Sequence, residues 1–162
     1  MLYNLFLVLH VFCASMVLSL LPFTFLMRGK RNRSKGTPVE LYTIQTEFST
    51  GRFMGMAGGI GLLIAGAGMA GIAKMPWFDF VGFQWLAIKQ VLYILILALN
   101  FSMLMPIAKK IMPLIAQQMS KGNVGATDEI RALANKATVI AIIMSLLGLA
   151  NAVLGLTWRI RF

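Results

Sequence analysis

The chain has 162 residues, 59% of them hydrophobic and only 12% charged, and its mean hydropathy is +0.80. Soluble domains carry about 25% charged and 45–50% apolar residues, so the surplus here has no water-soluble core to fill and points to lipid as its solvent. The net charge is +10, but most of the basic residues sit in two segments between apolar runs, which argues against nucleic acid as a partner, and the single cysteine excludes an intrachain disulfide.

Apolar runs fall at about 3–26, 53–73, 83–108 and 138–158. Each is long enough to cross roughly 30 Å of hydrocarbon as a helix. The expected fold is an all-α integral membrane four-helix bundle, a single transmembrane domain spanning 1–162. The first run lacks a basic leader and a small-residue cleavage site, and its apolar stretch is too long for a signal peptide, so it is expected to remain in the mature chain.

The segment after the first run carries Arg28, Lys30, Arg31, Arg33, Lys35 and Arg52. Within it, Thr37-Pro38-Val39-Glu40 has the pattern of a capping box with proline at the first helical position. The second span is therefore predicted to start as a helical extension near Pro38 and to bend at Ser49-Thr50-Gly51. Eight glycines follow between Gly51 and Gly71. Gly51, Gly55 and Gly59 form two overlapping GxxxG repeats, while Gly58, Gly61, Ala65 and Gly68 make a second smooth stripe. Such faces let backbones approach closely in lipid, where the hydrophobic effect does not drive helices together. Two of them place this helix between neighbours or against a flat ligand.

A short aromatic loop, Lys74-Met75-Pro76-Trp77-Phe78-Asp79-Phe80, suits the headgroup level. Pro106 and Pro113 are predicted to kink the end of the third span, and Gly122-Asn123 ends that segment. The next basic set is Lys109, Lys110, Lys121, Arg131 and Lys136. Thr127, followed by Asp128 and Glu129, reads as an N-cap with acidic residues in the first turn, giving the fourth span its own extension. Ala141, Ser145, Gly148, Ala152 and Gly155 form one small face expected to pack against a helix.

The two basic segments hold eleven of the fifteen Lys and Arg residues. The positive-inside rule puts both in the cytoplasm, so the topology is N-out/C-out, with Arg159 and Arg161 outside. The expected location is a bacterial inner (plasma) membrane.

Ionisable and strongly polar groups inside spans are costly, and each is a functional candidate. His10 shares a face of the first span with Tyr3 and Cys13. Lys89 opens the third span, with Tyr93 and Asn100 near its face. Asn151 lies in the fourth, with Met144 and Trp158 on its side. His10, Met69 and Lys89 fall in the outer half of the bilayer. His10 suits an axial ligand of haem iron, or a histidine hydrogen-bonded within the bundle. It is the sole histidine, so a bis-histidine haem cannot form within one chain. A second axial ligand would be Met69, Lys89, another methionine, water or a residue of a partner.

Lys89 has three readings: snorkelling to the headgroups, pairing with Asp79, or neutralising a buried cofactor. Asn100 and Asn151 are expected to hydrogen-bond between helices. The methionines form no persuasive copper path. No Ser/His/Asp set, P-loop or intramembrane carboxylate pair occurs, so no catalytic residue is assigned. A carboxylate relay and a transporter built on broken helices are disfavoured.

Leu9-His10-Val11 and Trp85-Leu86-Ala87-Ile88-Lys89 resemble segments of the HemJ-type protoporphyrinogen oxidase family, and Thr50-Gly51-Arg52-Phe53-Met54 is loosely similar as well. The layout is also similar to four-helix proteins related to copper-resistance D membrane domains. The HemJ resemblance implies a small helical membrane protein binding haem b through the first-helix histidine and the lysine of a Trp-Leu-x-x-Lys motif, here His10 and Lys89. The expected function is a redox role with haem b or a porphyrin held near His10, Lys89 and Met69. The alternative is a non-catalytic accessory subunit of a larger respiratory or redox membrane complex, without cofactor. Expected partners are the lipid bilayer and either other membrane subunits or further copies of the chain.

Overall fold

The computed structural model describes residues 1–122 and 124–159, the last four of these through their backbone only. Asn123, the side chains of Trp158 and Arg159, and Arg161, all invoked above, lie outside the described residues. The elements are α1 (Leu2–Arg33), α2 (Pro38–Ile72), α3 (Gln84–Leu99), a π-helical turn (Asn100–Leu104), α4 (Met105–Met119) and α5 (Asp128–Arg159). With the π turn included, four helices are long and apolar enough to cross a membrane: Leu2–Arg33, Pro38–Ile72, Gln84–Met119 and Asp128–Gly155. The protein is an all-helical integral membrane bundle.

These helices outrun the bilayer. α1 has 32 residues, α2 has 35 and the third span 36, which at 1.5 Å per residue gives about 48–54 Å against a hydrocarbon layer of roughly 30 Å. The surplus gathers where α1 joins α2 and α4 joins α5, here called the basic end; the opposite end carries the N-terminus and residues 73–83.

The two ends follow different packing rules. At the basic end the extensions of α2, α4 and α5 bury a core of large side chains, Leu41, Ile44, Ile111, Ile115 and Ile130, closed by Ala126 and Ala134. The spacing of Ile107, Ile111 and Ile115 makes one apolar stripe of α4, with Ile111 and Ile115 in this core and Ile107 in an adjoining one with Ala137 and Ile140. Water outside the bilayer drives that burial. Between the apolar spans small residues take over. A Cβ placed on Gly58 would stand 2.8 Å from Val17 Cγ2 and 3.2 Å from the Cys13 carbonyl, and one on Gly68 would stand 2.7 Å from the Phe6 ring. The predicted stripe of Gly58, Gly61, Ala65 and Gly68 is thus the seat of α1.

Several local expectations change. α1 continues past residue 26 to Arg33, through Pro22. α2 starts at Pro38 as predicted, but it runs through Ser49-Thr50-Gly51 as continuous helix. The capping box at its start does not close: Thr37 gives no side-chain cap and its hydroxyl donates to the Ser34 carbonyl, while Glu40 reaches one residue past the cap to accept from the Gly36 N–H at 2.8 Å. Thr127 does cap α5, its hydroxyl accepting from the Ile130 N–H at 3.3 Å. Pro106 does not end the third span at 108. The missing N–H is absorbed by the wide turn Asn100–Leu104, where the Met105 N–H reaches back to the Asn100 carbonyl, and the helix proceeds through Pro113 to Met119.

Around the bundle α1 packs along α2, and α5 lies against both α1 and α3. The ring closes between the second and third spans through α4 at the basic end, whereas the backbones of α2 and α3 barely approach each other. In the half away from the basic loops, α2 and α3 are therefore joined across a seam by side chains rather than by close backbone packing.

Candidate functional site

Four polar side chains lie in that half. His10 lies two turns into α1, and Gly66 of α2 faces it: a Cβ there would stand 3.9 Å from His10 Cε1. The imidazole Nδ1 is buried and has no hydrogen-bond partner. Lys89 reaches from α3 towards α5, where a Cβ on Gly155 would stand 2.7 Å from its ammonium nitrogen. The ammonium also lies 5.9 Å from the centre of the Trp85 ring, within cation–π range. Asn151 of α5 donates from Nδ2 to the Lys89 carbonyl at 3.4 Å, and its Oδ1 is buried without a partner. Tyr93 of α3 spans the seam, its phenol donating to the Gly59 carbonyl of α2 at 2.8 Å.

The helix rise places Gly66, His10 and Lys89 within about 7–12 Å of the far ends of their helices. His10 and Lys89 thus lie at similar depth, His10 against Gly66 of α2 and Lys89 against Gly155 of α5. Met69 is half-buried and lies one turn beyond Gly66, between the face of α2 that seats α1 and the face carrying Gly59 and Gly66. Asp79 is engaged within its own loop, accepting the N–H groups of Val81 and Gly82 at 3.0 and 2.8 Å. Cys13 is buried against Gly61. The two glycine faces therefore differ: one seats α1, and the other meets the Tyr93 phenol at Gly59.

Chemically the site offers one imidazole, one ammonium and an amide. Among the described residues no group of three or more His, Cys, Asp or Glu side chains is placed to hold a metal ion. A single imidazole holds iron firmly only when a macrocycle supplies the remaining donors. The two best-defined surface hollows lie elsewhere, at the basic halves of α2 and α5.

A second polar cluster, at the basic end, escaped sequence reading. Arg31 is only 3% exposed. Its guanidinium donates to Glu47 Oε2 at 3.0 Å, Asn135 Oδ1 at 2.9 Å and the Thr138 hydroxyl at 3.3 Å, joining α1, α2 and α5. Two turns nearer the loops along α2, Glu40 accepts from Arg131 Nε and Nη2 at 2.8 and 3.0 Å, and Arg131 also reaches Asp128 at 2.9 Å. Burial pushes the Glu40 carboxyl up, but the hydrogen bonds from Arg131 and the Gly36 and Ala126 N–H groups, with the Arg131 charge, outweigh it and hold Glu40 below its ordinary value. The usable signal was the acids: four of the five, Glu40, Glu47, Asp128 and Glu129, lie within the stretches that carry the basic residues.

No protein-family model, curated protein or solved structure matches this chain.

Proposed function

We propose that the protein is a membrane redox protein that holds a b-type haem, or a porphyrin as substrate, in the α2–α3 seam, with His10 as the iron ligand. The observation that carries this reading is the pair of buried, unpartnered polar atoms, His10 Nδ1 and Asn151 Oδ1, on the two helices that back the seam. Buried polar groups are normally satisfied, and orphans at one depth beside a seam suit a bound group. A haem supplies one-electron transfer at its iron. The chain would supply a neutral imidazole donor at His10 and a Lys89 ammonium for a propionate. Met69 is a further residue of the chain that would serve as an iron ligand. In this reading the basic end faces the cytoplasm of a bacterium and the seam faces the outer leaflet.

The test is the visible spectrum of the detergent-purified protein. A reduced-minus-oxidised b-type band that His10→Ala abolishes supports the proposal, while a colourless preparation after expression with added haem precursor overturns it. Lys89→Met keeps bulk and removes charge; an unchanged haem content and potential would remove Lys89 from the site.

One feature favours a second reading, an accessory subunit of a membrane complex. Gly51 has open space where a side chain would stand, which leaves its part of the α2 surface uncovered. A transmembrane helix of a partner could lie along that face. A colourless protein that co-purifies in fixed ratio with other membrane subunits would select this alternative.

A further inference from the structure

Two hollows on the bundle repeat one arrangement. The first, about 340 Å³, lies between the π turn and α5 and is lined by Leu99, Met103, Lys136, Val139, Ile140 and Ile143. Its lining surface is wholly apolar, with the aliphatic stem of Lys136 as the wall nearest the basic end and the ammonium outside it. The second, about 360 Å³, lies on α2 and is lined by Ser49, Arg52, Phe53, Met56 and Ala57. It again has one cation at the basic end above apolar side chains.

The cations sit where each helix changes solvent. Arg52 immediately precedes the apolar run that begins at Phe53, and Lys136 lies two residues before the run that begins at Thr138. Both are exposed. Lys110 is held by Glu129 at 3.0 Å, whereas neither Lys136 nor Arg52 is in an ion pair among the described residues. From Lys136 the first groove descends to Ile143, seven residues on, or about 10 Å along the helix. The π turn shapes its opposite wall: by absorbing the effect of Pro106 it carries Leu99 and Met103 past α5 with space between them.

We propose that these grooves seat an anionic phospholipid, its phosphate on Lys136 or Arg52 and an acyl chain against the apolar wall below. Charge complementarity selects the occupant. The chain carries +10 overall, concentrated at this end, and basic pockets at the ends of membrane helices attract anionic headgroups. A zwitterionic lipid would meet the same apolar wall but would gain less from the cation. A peptide or a partner helix would leave the ammonium of Lys136 without a counter-charge at the mouth of a groove otherwise built of hydrocarbon.

The experiment is native mass spectrometry of the full chain in detergent, titrated with phosphatidylglycerol or with phosphatidylcholine of identical acyl chains. The wild type is expected to retain up to two phosphatidylglycerol molecules with at least a threefold preference over phosphatidylcholine. Lys136→Gln should lose one of the two, and Lys136→Gln/Arg52→Gln should fall to the phosphatidylcholine level. Lys136→Arg should keep the wild-type pattern, and Lys121→Gln, which removes the same charge away from both grooves, should leave retention unchanged. Equal retention of the two lipids by the wild type overturns the proposal. So does a double variant that keeps the preference, or an equal loss in Lys121→Gln, which would make the effect one of bulk charge. Circular dichroism of each variant shows that the helices are intact.

Discussion

Arg31 of α1 and Glu47 of α2 form an ion pair of 3.0 Å with only 4% and 11% of their side chains exposed. The pair is completed by α5. The Thr138 hydroxyl accepts from Arg31, and its hydrogen faces both Glu47 Oε1 at 3.2 Å and the Ala134 carbonyl at 2.8 Å. Removing one member of such a pair leaves the other charge buried, which costs about 3–5 kcal/mol, whereas replacing both with apolar residues is often near neutral. Arg31→Met is therefore expected to be strongly destabilising, and Arg31→Met/Glu47→Leu to recover more than half of the loss. Denaturant unfolding in detergent micelles, followed by helicity, measures both. A single variant as stable as the wild type would mean that the pair does not hold the three helices together.

Glu40 makes the basic end acid-sensitive. Its carboxyl lies below the ordinary value of 4.5 in the folded chain, so the folded state binds that proton less tightly than the unfolded state does. The stability this contributes is fully present above pH 4.5 and is lost as pH falls through the lower folded value. The extensions of α2 and α5 should loosen on acidification before the apolar spans do. Hydrogen exchange at residues 38–47 and 128–137, compared between pH 7 and pH 4, reads the effect. In Glu40→Gln the acid-dependent part should be largely gone.

The spans were legible because crossing lipid requires only length and apolarity, which add along the chain. The starts of α2 and α5 were legible for a similar reason: Pro38 and Thr127 act on their own backbone. Glu40 shows where local reasoning stops. Its side chain does reach back as a capping box requires, but it lands on Gly36 and serves Arg131, 91 residues away, on both oxygens. Arg31 was counted among loop charges because nothing along the chain distinguishes a buried arginine from its exposed neighbours Lys30 and Arg33. The depth of His10 and Lys89 could be counted from helix ends; their facing could not. It depends on how α1 settles on Gly58, Gly61 and Gly68, and on the notch that Gly155 leaves for the Lys89 side chain.

The glycines of α2 should separate into two classes on substitution. At Gly58 an added methyl meets Val17 Cγ2 at 2.8 Å and backbone oxygen at 3.2 Å. The backbone of α1 cannot yield locally, so Gly58→Ala should cost about 1–3 kcal/mol, as overpacking does. At Gly51 nothing lies within 4 Å. Gly51→Ala gains helix propensity without a clash and should be neutral or stabilising by up to about 1 kcal/mol. Thermal unfolding of the two variants side by side tests the assignment. Equal losses would mean that Gly51 also faces a helix, which would favour the accessory-subunit reading over an isolated bundle.

Tyr93 is the element that crosses the seam. The backbones of α2 and α3 barely approach there, and the phenol bridges the gap by donating to the Gly59 carbonyl at 2.8 Å. That carbonyl belongs to a helix, so the bond adds to the helical ladder and its loss strands no main-chain group. Tyr93→Phe should therefore cost little in global stability, about 0.6–1.7 kcal/mol on the scale of hydrogen bonds between membrane helices. Its local effect should be larger. α4 is anchored by Ile107, Ile111 and Ile115 in the basic-end cores, whereas α3 has α5 as its main packing partner. Amide exchange in Tyr93→Phe should accordingly rise across residues 84–99 and stay level across 105–119. A uniform rise, or none, would show that the seam is held by something other than this phenol. A selective rise would identify α3 as the wall of the seam that moves.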